Sequence, residues 1–109
     1  MALALNVFRT ITVVVSTTPT EVYTAPVGYT GVILLAQVAN IGNSSADISF
    51  IHRRSLTDTE ILMNYPISAN DTSNLLAGKL VLESGDKLVL YGSDPTNLKF
   101  LSSILETLN

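Results

Sequence analysis

The residue in this sequence best suited to acid–base chemistry is its single histidine, His52. General acid–base catalysis would also need a second polar group within hydrogen-bond reach of the imidazole. In a strand, side chains alternate between two faces, which places the neighbouring Ser49 and Asp47 on the face opposite to His52. We therefore expect an ordinary inward-facing or interface histidine, with a pH-sensitive contact as the alternative.

Two arginines, Arg53 and Arg54, follow the histidine directly. A guanidinium group donates two parallel hydrogen bonds to a carboxylate, so this basic triplet could bind an acidic strip on a partner protein. The alternative interpretation is the solvated end of a strand. The sequence alone leaves both interpretations open.

The acidic residues do not form the pattern of a metal or catalytic site. They lack the alternating oxygen-ligand spacing of a calcium loop, and turn chemistry explains nearly all of them. They include Asp47, Asp58, Glu60, Asp71, Asp86 and Asp94. The absence of cysteine excludes disulfides and thiolate metal sites, and no glycine-rich phosphate-binding pattern precedes a helix. We expect no catalytic residue, no metal and no cofactor, and we predict that the chain is not an enzyme.

The composition favours protein–protein contact. Charged residues make up 14% of the 109 residues, against about 25% in typical soluble domains, and the mean hydropathy is +0.39. A domain of this size cannot easily hide so many apolar side chains in its own interior, which suggests subunit interfaces. The net charge of -3 has the wrong sign for sequence-independent nucleic-acid binding. We expect no nucleic-acid partner.

Neither a signal peptide nor a membrane span is predicted. The start of the chain, Met1–Leu5, is apolar but has no basic n-region. The polar residues Asn6 and Arg9 follow too soon for a signal peptide or a membrane span. The longest apolar run, Gly31–Ala36, is far too short to cross a bilayer. We therefore expect no membrane association.

Alternating apolar and β-branched residues dominate the chain, and turn residues recur about every 8 to 12 positions. This rhythm predicts an all-β fold in one domain, residues 1–109. We expect an antiparallel β-sandwich of jelly-roll or Ig-like type with seven to nine strands. The clearest strands are Asn6–Val15, Thr20–Thr24, Gly31–Asn40 and Glu60–Ile67. Gly31–Asn40 is apolar on both faces, which is typical of a central strand.

Two hairpins are predicted from turn residues. Ser84-Gly85-Asp86 separates the β-forming runs Lys79–Glu83 and Lys87–Tyr91, so these two runs are expected to pair with each other. The turn cluster Ile41–Ser45 is expected to join the central strand to the strand that follows it in the same way.

The remaining connections are less regular. Ser55–Thr59 and Asn70–Asn74 are rich in polar residues and are expected to be loops, while Pro66 places its strand near a sheet edge. The segment after Leu98 alternates like a strand, but leucines at helical spacing also permit a helix from Leu98 to Leu108. We expect the strand, because it fits the rhythm of the turns.

Five segments carry a resemblance to a known family. They are VYTAPVGYT at 22–30, LLAQVAN at 34–40, ISANDT at 67–72, the run from Gly78 to Asp86, and SILE at 103–106. In this order they resemble a family of small virion proteins of T4-like tailed bacteriophages, widespread among phages of marine cyanobacteria. The resemblance implies a β-sandwich structural subunit present in many copies in the virion, with no enzymatic role. A tail, neck or baseplate subunit is slightly favoured, and a capsid decoration or cement protein is the alternative.

We therefore expect a homo-oligomer that docks on other virion proteins. The apolar chain ends, Met1–Leu5 and Leu105–Asn109, can reach beyond the sandwich and are candidate docking segments. A glycan is the alternative partner in a host-attachment module, since Tyr29 or the loop Tyr91–Asn97 could stack on a sugar. The candidate interface residues are Leu3, Leu5, Tyr29, His52, Arg53, Arg54, Leu105 and Leu108.

Overall fold

A computed structural model describes residues 5–109, which form β-strands joined by turns and loops. The strands of this part of the chain are β1 (Asn6–Val14), β2 (Thr20–Thr24), β3 (Tyr29–Asn40), β4 (Ala46–Arg54), β5 (Thr57–Ile67), β6 (Asp71–Asn74), β7 (Leu80–Leu82), β8 (Lys87–Gly92) and β9 (Leu98–Leu108). Residues 5–109 contain no helix. The final segment is therefore a strand, as predicted.

The strands form two antiparallel sheets. The five-stranded sheet has the order β1-β9-β3-β6, with β7 also paired to β3, and the four-stranded sheet has the order β2-β8-β4-β5. Most consecutive strands alternate between the two sheets, and this order is that of a jelly roll in which β6 and β7 together occupy one strand position. The predicted all-β sandwich is confirmed.

The core lies between the sheets and follows from the alternation of side chains along each strand. In β9, Leu98, Phe100, Ser102 and Ile104 are buried, whereas the residues that alternate with them, Lys99, Leu101 and Ser103, point away from the core. Phe50 of β4 and Phe100 meet across the sandwich with their ring centroids 5.9 Å apart. The two apolar faces thus hold the sheets together.

The predicted hairpin across residues 79–91 is wrong, although its turn is correct. Gly85 has a φ of 86°, and the N–H of Asp86 donates to the carbonyl oxygen of Glu83 at 2.9 Å. However, β7 pairs with β3 and β8 pairs with β2 and β4. The turn backbone bonds instead to Ala25, whose N–H donates to Asp86 and whose carbonyl oxygen accepts from Gly85. An alternating pattern does not reveal whether the next strand in the sequence lies in the same sheet or in the facing one.

The expected pairing of the central strand with the next strand is also wrong. The loop between β3 and β4 crosses from one sheet to the other, and the buried side chain of Asn40 holds it. Its amide nitrogen donates to the carbonyl oxygens of Ser44 and Ile67 at 2.8 and 3.0 Å. Its amide oxygen accepts from the N–H of Gly42 at 3.0 Å.

A hairpin does join β4 to β5, inside the segment expected to be a loop. Arg54 pairs with Thr57, and Ser55 adopts a φ of 55° in the two-residue turn. Asn70–Asn74 is likewise not a simple loop, because Asp71–Asn74 forms β6 against β3. Backbone pairing to an existing strand outweighs the polar character of these side chains. Pro66 lies in the edge strand β5, as expected.

Candidate interaction surface

The outer side of the five-stranded sheet carries a row of apolar side chains across four strands. Phe8 pairs with Leu105, Leu105 with Val32, and Val32 with Val81. Directly paired residues of neighbouring strands point to the same face. Phe8 is 75% exposed and Val81 is 56% exposed, so the row faces solvent. We call Phe8, Leu105, Val32 and Val81 the apolar row.

The rest of this outer side is almost without charge. We define the neutral face as the apolar row together with Thr10, Thr12, Val14, Gln37, Ala39, Lys99, Leu101 and Ser103. Among these side chains only Lys99 is charged. Two shallow depressions of about 310 and 180 Å³ lie along the face, the first beside Leu101 and the second beside Phe8 and Leu34. An open, uncharged and partly apolar sheet is suited to packing against another protein.

The outer side of the four-stranded sheet is different, because it carries four charged side chains that pair with one another. The guanidinium group of Arg53 donates to Asp58 at 2.6 Å and lies 3.5 Å from Glu21, which also meets Lys87 at 3.5 Å. The hydrogen bond from Arg53 lowers the pKa of Asp58. We call Glu21, Arg53, Asp58 and Lys87 the charged face. Its ions satisfy each other within the chain, so the two sides of the sandwich offer opposite chemistry.

Asp86 is the centre of a polar cluster at one end of the sandwich. Its side chain is 2% exposed and accepts two hydrogen bonds from Arg54, at 2.8 and 2.7 Å. It also accepts from the N–H of Glu83 at 2.9 Å and lies 3.1 Å from Nε2 of His52. The bonds from Arg54 first, then those from Glu83 and His52, hold the pKa of Asp86 far below its ordinary value despite burial. Asp86 therefore ties the turn before β8 to the end of β4.

The depressed pKa of Asp86 predicts a specific dependence of stability on pH. An aspartate whose pKa falls on folding stabilises the fold fully above its unfolded pKa of about 3.9, and this contribution is lost as the pH falls below that value. The difference in free energy of unfolding between the wild type and Asp86→Asn should therefore be largest at neutral pH and shrink in acid. Urea unfolding at about pH 7 and about pH 3 measures it. An equal difference at both values would contradict the ion pair.

A second buried carboxylate, Glu106, joins three strands of the sandwich. Its side chain accepts a hydrogen bond from Nε of Arg9 in β1 at 2.8 Å and from the hydroxyl of Tyr23 in β2 at 2.6 Å. Burial first, and then the contact with Glu106, raises the pKa of Tyr23 well above its ordinary value. The cluster links the β1 edge of the five-stranded sheet to the facing sheet.

The three basic residues singled out from the sequence all have partners within the chain. His52 and Arg54, which share a face of β4, both contact Asp86. Arg53 points to the other side and binds Asp58. The chain itself therefore supplies the acidic groups that the sequence assigned to a partner or left to solvent, and an interface role for these residues stays a prediction.

Four of the candidate interface residues, Leu5, Tyr29, Leu105 and Leu108, lie at or near the end of β9. The N–H of Leu108 donates to the carbonyl oxygen of Leu5 at 2.8 Å, and Leu108 pairs with Tyr29. Leu105 lies three residues before Leu108 in β9 and belongs to the apolar row. Leu3 falls outside the described residues. An interface at this end of the sandwich stays a prediction.

The sequence did not identify Phe8, Val32 or Val81 as surface candidates, nor Asp86 or Glu106 as buried charges. The alternation in β1 and β3 gives two faces for each strand, but it does not say which strands lie side by side. A row of side chains across a sheet depends on that order. For Asp86, the only indication in the sequence is its position directly after a turn glycine. That position is equally typical of an exposed turn residue, so it does not predict a buried charge.

Within residues 5–109, no group of three histidine, cysteine, aspartate or glutamate side chains is arranged to hold a metal ion. No helix in that range is long and apolar enough to span a membrane.

Comparison with known proteins shows the fold. No family model matches the chain, and no curated protein matches it. Two solved structures share its architecture. A chain in the acid-stable capsid structure of Helicobacter pylori bacteriophage KHP30 aligns over 96% of this chain and 89% of its own length, with a TM-score of 0.58 and 12% identity.

The second solved structure comes from the disulfide-linked pili that form Bacillus endospore appendages. It aligns over 100% of this chain and 97% of its own length, with a TM-score of 0.55 and 13% identity. Identities this low show a common fold and no more. The chain is thus a sandwich domain of the architecture found in a phage capsid structure and in a bacterial pilus.

Proposed function

We propose that the chain is a non-enzymatic structural subunit of a bacteriophage virion, present in many copies. The neutral face carries this proposal. A protein that acts alone gains nothing from exposing an uncharged row such as Phe8, Leu105, Val32 and Val81, whereas a subunit buries such a row against a neighbour. The charged face, whose ions pair within the chain, is the side suited to solvent.

The capsid and pilus neighbours support an assembly role, because capsids and pili are both built from repeated subunits. The absence of catalysis is part of the proposal. Its support is the arrangement around His52, whose imidazole contacts a carboxylate that is already bound by Arg54 and the N–H of Glu83. In β4, Ser49 lies on the opposite side and donates to Met63 instead.

Within the particle, we place the subunit on the capsid as a decoration or cement protein. The capsid neighbour supports this alternative, and a broad neutral face is suited to lying flat on a shell of other subunits. The tail, neck or baseplate position favoured by the resemblance stays a prediction, as does the affiliation with T4-like phages.

Purified particles provide the test of this function. Quantitative mass spectrometry should find the chain at a fixed, high ratio to the major shell protein. Because the docking face contains almost no charge, the ratio should persist after washing in about 1 M salt, where the Debye length is only about 3 Å. Loss of the chain in salt would contradict docking through the neutral face, and its absence from unwashed particles would overturn the virion role.

The carbohydrate-binding alternative gains no support from the geometry. Tyr29 lies in β3 of the five-stranded sheet, whereas Tyr91 lies in β8 of the four-stranded sheet. They therefore do not form a common stacking platform. The hydroxyl of Tyr91 is directed to the sulfur of Met63 at 3.5 Å. Glycan binding stays a prediction from the sequence.

A further inference from the structure

Within residues 5–109, one edge of the five-stranded sheet forms no backbone hydrogen bonds with another strand. In the described part of the chain, β1 pairs with β9 on one side and with no strand on the other. The N–H of Leu108 donates to the oxygen of Leu5, and the N–H of Val15 donates to the oxygen of Leu98. Since the direction of backbone groups alternates along a strand, odd-numbered residues of β1 face β9 and even-numbered residues face the open edge. The latter are Asn6, Phe8, Thr10, Thr12 and Val14.

This edge is regular along its whole length. All nine residues of β1 pair with β9 without a register shift. The strand contains no proline, and its one charged residue is Arg9, whose side chain is bound by Glu106 of the same chain. Long, regular edges with few charges are templates for pairing with another strand.

The other sheet edges are protected by the devices that proteins use against such pairing. The edge strand β5 contains Pro66, two register shifts in its pairing with β4, and Asn64 with a φ of 51°. The edge strand β2 is five residues long and has a shift. Opposite β1, the edge is divided between β6 and β7, of four and three residues. Within residues 5–109, β1 is therefore the edge left available.

We infer that β1 pairs antiparallel with β1 of a second copy of this chain, with Thr10 opposite Thr10. In this register Phe8 lies opposite Thr12, and Asn6 opposite Val14. Every one of these pairs joins two even-numbered residues, whose N–H and C=O groups face the open edge. Five such pairs exchange about ten hydrogen bonds between the copies. The inference deepens the proposed many-copy assembly and rests on it only for the presence of a second copy.

The strand favours itself as its own partner for two reasons. First, the register is self-complementary, because a twofold axis through the Thr10 pair reproduces every contact. Cross-strand threonine pairs and the pairing of Phe8 with a threonine are compatible neighbours on one sheet face. Secondly, the charge of each Arg9 is compensated by Glu106 of its own chain, so no like charges are left opposed at the centre.

The axis is perpendicular to the sheet, so both copies present the same side outward. The two five-stranded sheets become one continuous sheet, and the two neutral faces become one surface. The apolar row of one copy then meets Thr12 of the other, and the two rows run across the joined sheet with an offset of four residues, or roughly 13 Å along the strands. A dimer formed in this way doubles the area that can dock on a shell and leaves both charged faces on the opposite side.

Cysteine cross-linking tests the register directly, because the chain contains no cysteine. In the proposed pairing, the Cα atoms of the two Thr10 residues lie about 5.5 Å apart, which suits a disulfide. Thr12 of one copy is offset by four residues from Thr12 of the other, or roughly 13 Å along the strand. Oxidation should therefore cross-link Thr10→Cys into dimers and leave Thr12→Cys monomeric on a denaturing gel. Cross-linking of both variants, or of Thr12→Cys alone, would overturn the register.

Light scattering tests the dimer without any covalent bond. Thr10→Lys places two ammonium groups opposite each other across the axis and should raise the dimer dissociation constant at least tenfold, or about 1.4 kcal/mol. Thr12→Lys places its charge opposite Phe8 and should change the constant by less than about threefold. Circular dichroism confirms that both variants are folded. A wild type that stays monomeric at all concentrations would overturn the inference, while the retention of the chain on salt-washed particles would still decide the proposed function.

Discussion

Asp86→Ala is expected to lower the free energy of unfolding by about 3 kcal/mol and the melting temperature by on the order of 10 °C. Asp86 is buried and accepts hydrogen bonds from Arg54 and from the N–H of Glu83. Its removal breaks the connection between the turn before β8 and the end of β4. It also leaves the N–H of Glu83 without its acceptor and His52 beside an empty space. Thermal and urea unfolding of the purified chain measure the loss.

Asp58→Ala is the matched control for this prediction. Asp58 also accepts two hydrogen bonds from an arginine, Arg53, at 2.6 and 3.1 Å, but the pair lies on the exposed charged face. Exposed ion pairs contribute little because water and salt screen them. We therefore expect a stability close to that of the wild type. Equal losses in Asp58→Ala and Asp86→Ala would show that burial does not determine the strength of these pairs.

Val81→Lys is expected to reduce the number of copies bound per particle at least tenfold. Val81 lies in the apolar row, and docking through that row would bury the new ammonium group without a partner, which is costly. Its side chain is 56% exposed, so the isolated domain should stay folded with little change in stability. The measurement is the ratio of this chain to the major shell protein after reconstitution on particles that lack the chain.

Ile41→Lys provides the comparison, since Ile41 is 57% exposed and lies in the loop after β3, away from the apolar row. The exposure and the introduced charge are the same, and only the location differs. We expect this variant to bind at the wild-type ratio. Val81 lies in β7, at the opposite edge of the sheet from β1, so the result does not depend on pairing between copies. Equal binding of Val81→Lys and Ile41→Lys would show that the apolar row is not part of the docking surface.

Much of the fold could be predicted from the sequence because alternation is a local property. The runs around β1, β2, β3 and β9 show where strands form, and the turn at Gly85 follows from the need for a positive φ. These features depend on residues close together in the chain. The sandwich and the number of strands follow from them.

The order of the strands could not be predicted in the same way. A strand such as β8 has the same apolar face whether its neighbour in sequence lies beside it or across the core. Two expected hairpins failed for this reason. The neutral face and the pairing of Asp86 with Arg54 depend on contacts between residues distant in sequence, 32 positions apart for that ion pair. The neutral face can therefore be recognised only when the order of the strands in the sheet is known.

Imaging of an intact particle, at a resolution that traces this chain, tests the docking surface most directly. The neutral face, with Phe8, Leu105, Val32 and Val81, should lie against another protein of the particle. The charged face around Arg53 and Asp58 should be turned to solvent. A particle in which the charged face is buried while the apolar row is open to solvent would contradict the proposed mode of assembly.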